Sequence, residues 1–262
     1  MDKKTTSRDG TSLAYQVIGQ GPTVVLVSGA MSTGGTVAPL AHRLADRCTA
    51  VVYDRRGRGG SGDTAPYAVE REVEDLAALI DAVGGATGLY GVSSGGALVL
   101  EAVASGLPVR QAAVYEVPFA DFLDGGAGKR AYTRNLERAL ADGRRGEAVE
   151  LFLRLTGLGE ETIRGARQSP MWAGMESVAP SLAYDDAVMG DGLLPRERLA
   201  AVSVPVLSVA GGASPGWLRQ AAEAVAGAVP EGVYRTLEGQ THAVEPEVLA
   251  PVLAEFFTGR TP

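Results

Sequence analysis

The chain has 262 residues, 45% hydrophobic and 21% charged, with a net charge of −7. It is long enough for one sizeable domain with a large core, and its acidic balance argues against nucleic acid or an anionic membrane as a partner. One cysteine, Cys48, excludes an internal disulfide framework, and with only two histidines there is little to build a zinc site from.

The first residues, Met1 to Thr6, are polar and lead into no apolar segment, so neither a signal peptide nor a membrane span is expected and a cytoplasmic location is the default. Asp9-Gly10, between extended stretches at Thr5 to Ser7 and Ser12 to Gly19, predicts a hairpin. Thr23 to Ser28 is a continuous apolar run of the kind buried on both faces of a parallel sheet. A helix is expected at 37–47, a strand at 49–53, a Gly-rich loop at 54–62 and a helix at 66–83. A short strand over Ala86 to Tyr90, a helix over 96–104 and a strand over 109–117 follow. From Pro118 to about Val202 the strand–helix alternation stops and the pattern is helical throughout. It resumes with a strand at 204–210, a helix at 215–228, a strand at 232–237 and a last helix near 246–257. The expected architecture is α/β: an open, mostly parallel sheet flanked by helices, formed by 1–117 and 203–262, with a helical insertion at 118–202. In such sheets ligands bind outside the carboxyl ends of the strands.

Gly91-Val92-Ser93-Ser94-Gly95 joins a predicted strand to a predicted helix and fits the Gly-x-Ser-x-Gly nucleophile elbow. The turn strains the serine backbone, and its flanking glycines let strand and helix approach without side chains between them. The Ser94 N–H falls at a helix start, where it can face an anion. Gly212-Ala213-Ser214-Pro215-Gly216 matches the same pattern, but Pro215 has no N–H to offer an oxyanion. That copy reads as a helix start, with Ser214 as N-cap and Pro215 at the first helical position. A serine hydroxyl needs a base. His42 falls mid-helix beside Arg43, the place of an exposed helix residue. His242 follows the last strand, in a loop before the final helix, where a base belongs when the chain order is Ser, acid, His.

The elbow, the loop Asp54-Arg55-Arg56-Gly57-Arg58-Gly59-Gly60-Ser61 and the C-terminal Gly239-Gln240-Thr241-His242 resemble the α/β-hydrolase superfamily, in particular its small, capped bacterial hydrolases of esterase and lactonase type. The resemblance spans roughly Ser12 to Phe257 and is weakest in the helical insertion. It implies an eight-stranded sheet with a helical cap after the sixth strand. It further implies Ser93 as nucleophile, His242 as base, the backbone N–H groups of Ala30 and Ser94 as oxyanion hole, and no cofactor or metal. Ser28-Gly29-Ala30 stands where the family often has His-Gly-x, which leaves the Ala30 N–H in place. The usual acid position, after the strand 204–210, reads Gly211-Gly212-Ala213-Ser214 and holds no carboxylate. Some relatives, certain haloalkane dehalogenases among them, carry the acid one strand earlier, and there Glu116 stands. Asp121, Asp185 and Asp186 are weaker candidates.

Gly57 to Gly62 also matches Gly-x-Gly-x-x-Gly, the dinucleotide fingerprint, but that motif should open a helix directly and Asp63 to Pro66 delay it. The insertion is rich in Met and aromatic residues, which line apolar pockets and also fill cap cores. Met31, Trp172 and Met175 are the preferred substrate liners. The sequence therefore predicts a serine hydrolase, monomeric or homodimeric, that cleaves a small-to-medium apolar ester or lactone. A tailoring enzyme for thioester cleavage, cyclisation or another non-hydrolytic step uses the same scaffold, and a ligand-binding protein with a weak site would also fit the empty acid position.

Overall fold

The computed structural model describes residues 3–85 and 87–259. Ala86, expected to open the elbow strand, lies outside the described residues, as do Met1 and Asp2. The expected hairpin forms from β1 (Lys3–Thr6) and β2 (Ser12–Gly19), with Gly10 at φ 90° in its turn. There follow β3 (Thr23–Val27), α1 (Ala38–Leu44), β4 (Thr49–Tyr53), α2 (Val69–Ala82), β5 (Gly88–Val92), α3 (Ser94–Ala104) and β6 (Ala112–Tyr115). Helices α4 (Ala127–Ala141), α5 (Arg145–Leu155), α6 (Glu160–Arg167), α7 (Trp172–Val178), α8 (Leu182–Val188) and the short α9 (Arg196–Leu199) separate β6 from β7 (Val206–Gly211). The chain closes with α10 (Gly216–Ala228), β8 (Gly232–Leu237) and α11 (Pro246–Thr258).

Among the described residues the sheet has 8 strands, in the order β1-β2-β4-β3-β5-β6-β7-β8. The pairs β1–β2 and β2–β4 are antiparallel, and every pair from β4 onward is parallel. This is the α/β-hydrolase architecture, with the helical cap inserted after β6. The strands alternate between two cores, as a period of two requires when both faces are covered. Val25, Val27, Val51, Leu89 and Val114 pack against α2, α3 and α10. Val24, Leu26, Val52, Tyr90 and Tyr115 pack against α1 and α11. Cys48 belongs to the second core and is buried. A third cluster, around Tyr132, Leu136, Val149, Leu153 and Trp172, holds the cap together. Among the described residues no helix is long and apolar enough to cross a membrane.

Several boundaries differ from the sequence expectation by a few residues, two of them for a visible reason. Helix α2 begins at Val69 rather than 66, because Ala68 before it is extended (φ −148°, ψ 152°). Strand β6 is shorter than 109–117. The Arg110 N–H bonds to the Thr87 carbonyl before it, and Glu116 turns to φ 44° after it. That second deviation matters for the site.

Candidate active site

Chain direction puts the ends of β3, β5, β6, β7 and β8 along one rim of the sheet. At the end of β5, Ser93 adopts φ 56°, ψ −126°, a conformation that L residues rarely hold. Its N–H donates to the Tyr115 carbonyl on β6 at 2.9 Å, and α3 starts one residue later. The elbow glycines are compulsory here. A Cβ on Gly91 would lie 2.3 Å from the Gly95 carbonyl oxygen, and one on Gly95 would lie 2.5 Å from the Val27 and Ser28 carbonyl oxygens.

Among the described residues, three that are not glycine have positive φ: Met31 at 56°, Ser93 at 56° and Glu116 at 44°. They follow β3, β5 and β6, which are neighbours in the sheet. Strain of this kind persists where the surrounding structure over-determines it, and it clusters at functional sites. The sequence does not mark it as it marks the elbow: Glu116 has no glycine neighbours, and Met31 has Gly29 two residues before it but none two residues after.

His242 lies between β8 and α11, and its Nδ1 is 2.8 Å from Glu116 Oε2. Glu116 Oε1 accepts the Gly211 N–H at 2.8 Å. The Glu116 side chain is 0% exposed, whereas His242 is 47% exposed. Burial pushes the Glu116 carboxyl up, but the His242 ring and the Gly211 N–H outweigh it and hold the group below its ordinary value. An ionised carboxylate only accepts hydrogen bonds, so Nδ1 donates to it, and in the neutral ring Nε2 is the acceptor. Strand and loop contacts fix the histidine segment. The Tyr115 hydroxyl donates to the Thr241 carbonyl at 2.6 Å, and the Ala213 N–H donates to the Gln240 carbonyl at 2.8 Å. A Cβ on Gly211 would fall 2.3 Å from the Gln240 carbonyl oxygen. The loop after β7 therefore grips the histidine loop with its backbone, while Glu116, from the adjacent strand, supplies the carboxylate.

Across the rim, a Cβ on Gly29 would lie 3.2 Å from Ser93 Cβ, so the loop after β3 packs directly on the elbow. The Ala30 and Ser94 N–H groups have no acceptor among the described residues. The Ser93 hydroxyl is half-buried and makes no hydrogen bond among the described residues, to His242 included. Serine–base bonds in free enzymes are often long and tighten only when substrate is bound. Ala30, Met31 and Met175 lie along the half-buried edge of the cap cluster. Trp172 is inside that cluster, 8% exposed, with its indole edge against Gly146. His42 is exposed on α1.

The remaining candidates have other partners. Both Asp185 oxygens are taken by Arg55, Arg58 and Ser94. Asp186 pairs with Lys129, and Asp121 accepts the Leu194 N–H. Ser214 is not an N-cap, because α10 begins at Gly216 with Pro215 before it. Its hydroxyl is instead buried, turned to the Glu116 side without reaching hydrogen-bond geometry. The Gly57–Gly62 loop is closed on itself: Asp54 accepts the Gly34 and Gly60 N–H groups, both at 2.8 Å, and α2 begins only at Val69. Arg55, Arg56 and Arg58 are buried in ion pairs rather than displayed on the surface. Among the described residues no group of three His, Cys, Asp or Glu side chains could hold a metal ion.

Residues 24–252 match the model of the alpha/beta hydrolase family, and the chain belongs to that family. It is 32% identical over 240 residues to a pimeloyl-[acyl-carrier protein] methyl ester esterase of Xanthomonas campestris, covering 87% of this chain and 90% of the relative. An alpha/beta hydrolase structure from Sphaerobacter thermophilus is 51% identical, with a TM-score of 0.90 and coverage of 98% and 100%. A thermophilic esterase from Thermogutta terrifontis shares the fold at 23% identity, with a TM-score of 0.76 and full coverage of both chains.

Proposed function

We propose that the protein is a serine hydrolase that cleaves a small-to-medium apolar carboxylic ester or lactone through an acyl-enzyme on Ser93. The observation that carries the reading is the Glu116–His242 pair, 2.8 Å apart, on the same rim as the strained Ser93. Esterase relatives support an ester as the bond cleaved. Ser93 Oγ attacks the carbonyl carbon and His242 Nε2 takes its proton. The Ala30 and Ser94 N–H groups hold the oxyanion, at a rim where each such donor is worth about 3 kcal/mol. The tetrahedral intermediate collapses, and the imidazolium gives its proton to the leaving alcohol. A water then enters, His242 takes one of its protons, and the hydroxide equivalent releases the acid and restores Ser93. Glu116 keeps the histidine in the Nδ1–H tautomer and stabilises the imidazolium. Met31 and Met175, at the half-buried edge of the cap cluster, supply the apolar wall for the substrate, with Trp172 packed behind them in the cap core.

A panel of p-nitrophenyl esters tests the reading. Turnover that rises from acetate to a medium acyl chain, and vanishes in Ser93→Ala, is the expected result. Uniformly negligible turnover by a protein whose Ser93 still reacts with a fluorophosphonate would instead favour a non-hydrolytic acyl transfer on the same serine.

A further inference from the structure

The cap reaches the elbow through one buried carboxylate. Asp185, on α8, is 4% exposed. Its Oδ1 accepts the Ser94 hydroxyl at 2.9 Å and Arg55 Nη1 at 2.7 Å, and its Oδ2 accepts Arg58 Nη2 at 2.7 Å. Arg58 continues the chain of contacts: its Nη1 donates to the Gly29 carbonyl at 2.8 Å and to the Ser32 carbonyl at 3.2 Å. Arg55 Nη1 also reaches the Ser28 carbonyl at 3.3 Å.

The Gly29 carbonyl and the Ala30 N–H belong to one planar trans peptide and point in opposite directions. A guanidinium that fixes the carbonyl therefore aims the N–H, and by polarising the amide it strengthens the N–H as a donor. Ser94, whose N–H is the other donor, is held by its side chain to the same carboxylate. The two guanidinium charges are matched by Asp185 and by Glu72, which pairs with Arg55 through two bonds of 2.7 Å. The assembly therefore places no unbalanced negative charge behind the oxyanion.

We propose that Asp185 and Arg58 are positioning residues that set the direction of both oxyanion donors, so that the hole is complete only with the cap docked. The proposal rests on the serine-hydrolase reading. Pre-set donors stabilise the transition state because they need no reorientation when charge develops.

The test is ester hydrolysis by Asp185→Asn and Arg58→Lys, expressed per active site counted by fluorophosphonate titration. The expected result is a fall in kcat per site of about 10–100-fold with KM within about twofold, since the lost interaction strengthens only in the transition state. The factor should be the same at every pH, because the Glu116–His242 pair is untouched. Ser94→Ala removes only the hydroxyl that Asp185 holds and serves if the charge variants do not fold; it should lower kcat per site by a smaller factor at unchanged KM. Fewer titrated sites with wild-type kcat per site would reduce Asp185 and Arg58 to structural residues and overturn the proposal. A wild-type protein with neither labelling nor turnover would overturn the hydrolase reading and the proposal with it, an outcome distinct from variants that match an active wild type.

Discussion

Replacing Glu116 by glutamine removes one charge and reverses one hydrogen bond. Glutamine keeps the length of the side chain, and its carbonyl oxygen can still accept the Gly211 N–H, as Glu116 Oε1 does at 2.8 Å. The other end, 2.8 Å from His242 Nδ1, becomes an NH2 group that can only donate. The imidazole must then carry its proton on Nε2, the atom required to accept from Ser93. The imidazolium formed during attack also loses its partner. Together these effects amount to as much as ~10⁴ in kcat when the acid is buried and the base enclosed. Here the acid is 0% exposed but His242 is 47% exposed, so water partly replaces the lost partner, and a fall of roughly 10²–10³ in kcat, or about 3–4 kcal/mol, is expected. The assay is steady-state hydrolysis of a p-nitrophenyl ester, with active sites counted by titration. A fall of only a few-fold would refute the assignment of Glu116 as the acid.

Three further outcomes follow from the same geometry. Gly211→Ala puts a Cβ about where the Gln240 carbonyl oxygen stands, 2.3 Å away, and must push the histidine loop aside. Displacement of a catalytic group by about 1 Å costs on the order of 10² in rate, so kcat should fall by that factor, and wild-type kcat would contradict the account of the loop. Gly95→Ala drives a Cβ to 2.5 Å from two carbonyl oxygens after and within β3, and chemical denaturation should show a loss of about 1–3 kcal/mol or more, whereas unchanged stability would mean that the elbow is looser than described. The Glu116 carboxyl binds its proton less tightly folded than unfolded. Its contribution to stability is therefore present above the unfolded value, roughly 4.3, and is lost as pH falls through the folded value. Thermal unfolding between neutral and acid pH should show a shallower acid-side loss in Glu116→Gln than in wild type, and parallel curves would contradict this.

The sheet and the elbow were legible because their signals are local. Apolar runs such as Thr23 to Val27 mark strands buried on both faces, and Gly91 and Gly95 mark the close approach of strand and helix that the fold contains. Histidine scarcity made His242 legible, since His42 falls on an exposed helix. The exchange of the acid between strands left a negative mark in the sequence, the absence of a carboxylate at Gly211 to Ser214, and the resemblance pointed one strand earlier to Glu116; the contact with His242 appears only in the fold, where the register of β6 on β7 sets Tyr115 opposite Val209. The partners of Asp185 were illegible for a different reason. It lies far along the chain from Arg58 and Ser94, and no local pattern records that a cap residue bonds to the elbow. The same is true of Ser214, which the sequence places as a helix cap and the fold turns inward.

The central claim is that Ser93 is a nucleophile driven by His242. Reaction of the folded protein with a fluorophosphonate, followed by mass spectrometry of its peptides, addresses it directly. The account predicts one adduct, on the peptide that carries Ser93, formed quickly in wild type, much more slowly in His242→Ala and not at all in Ser93→Ala. An unmodified Ser93 in folded wild-type protein, or an adduct that persists in Ser93→Ala, would contradict it.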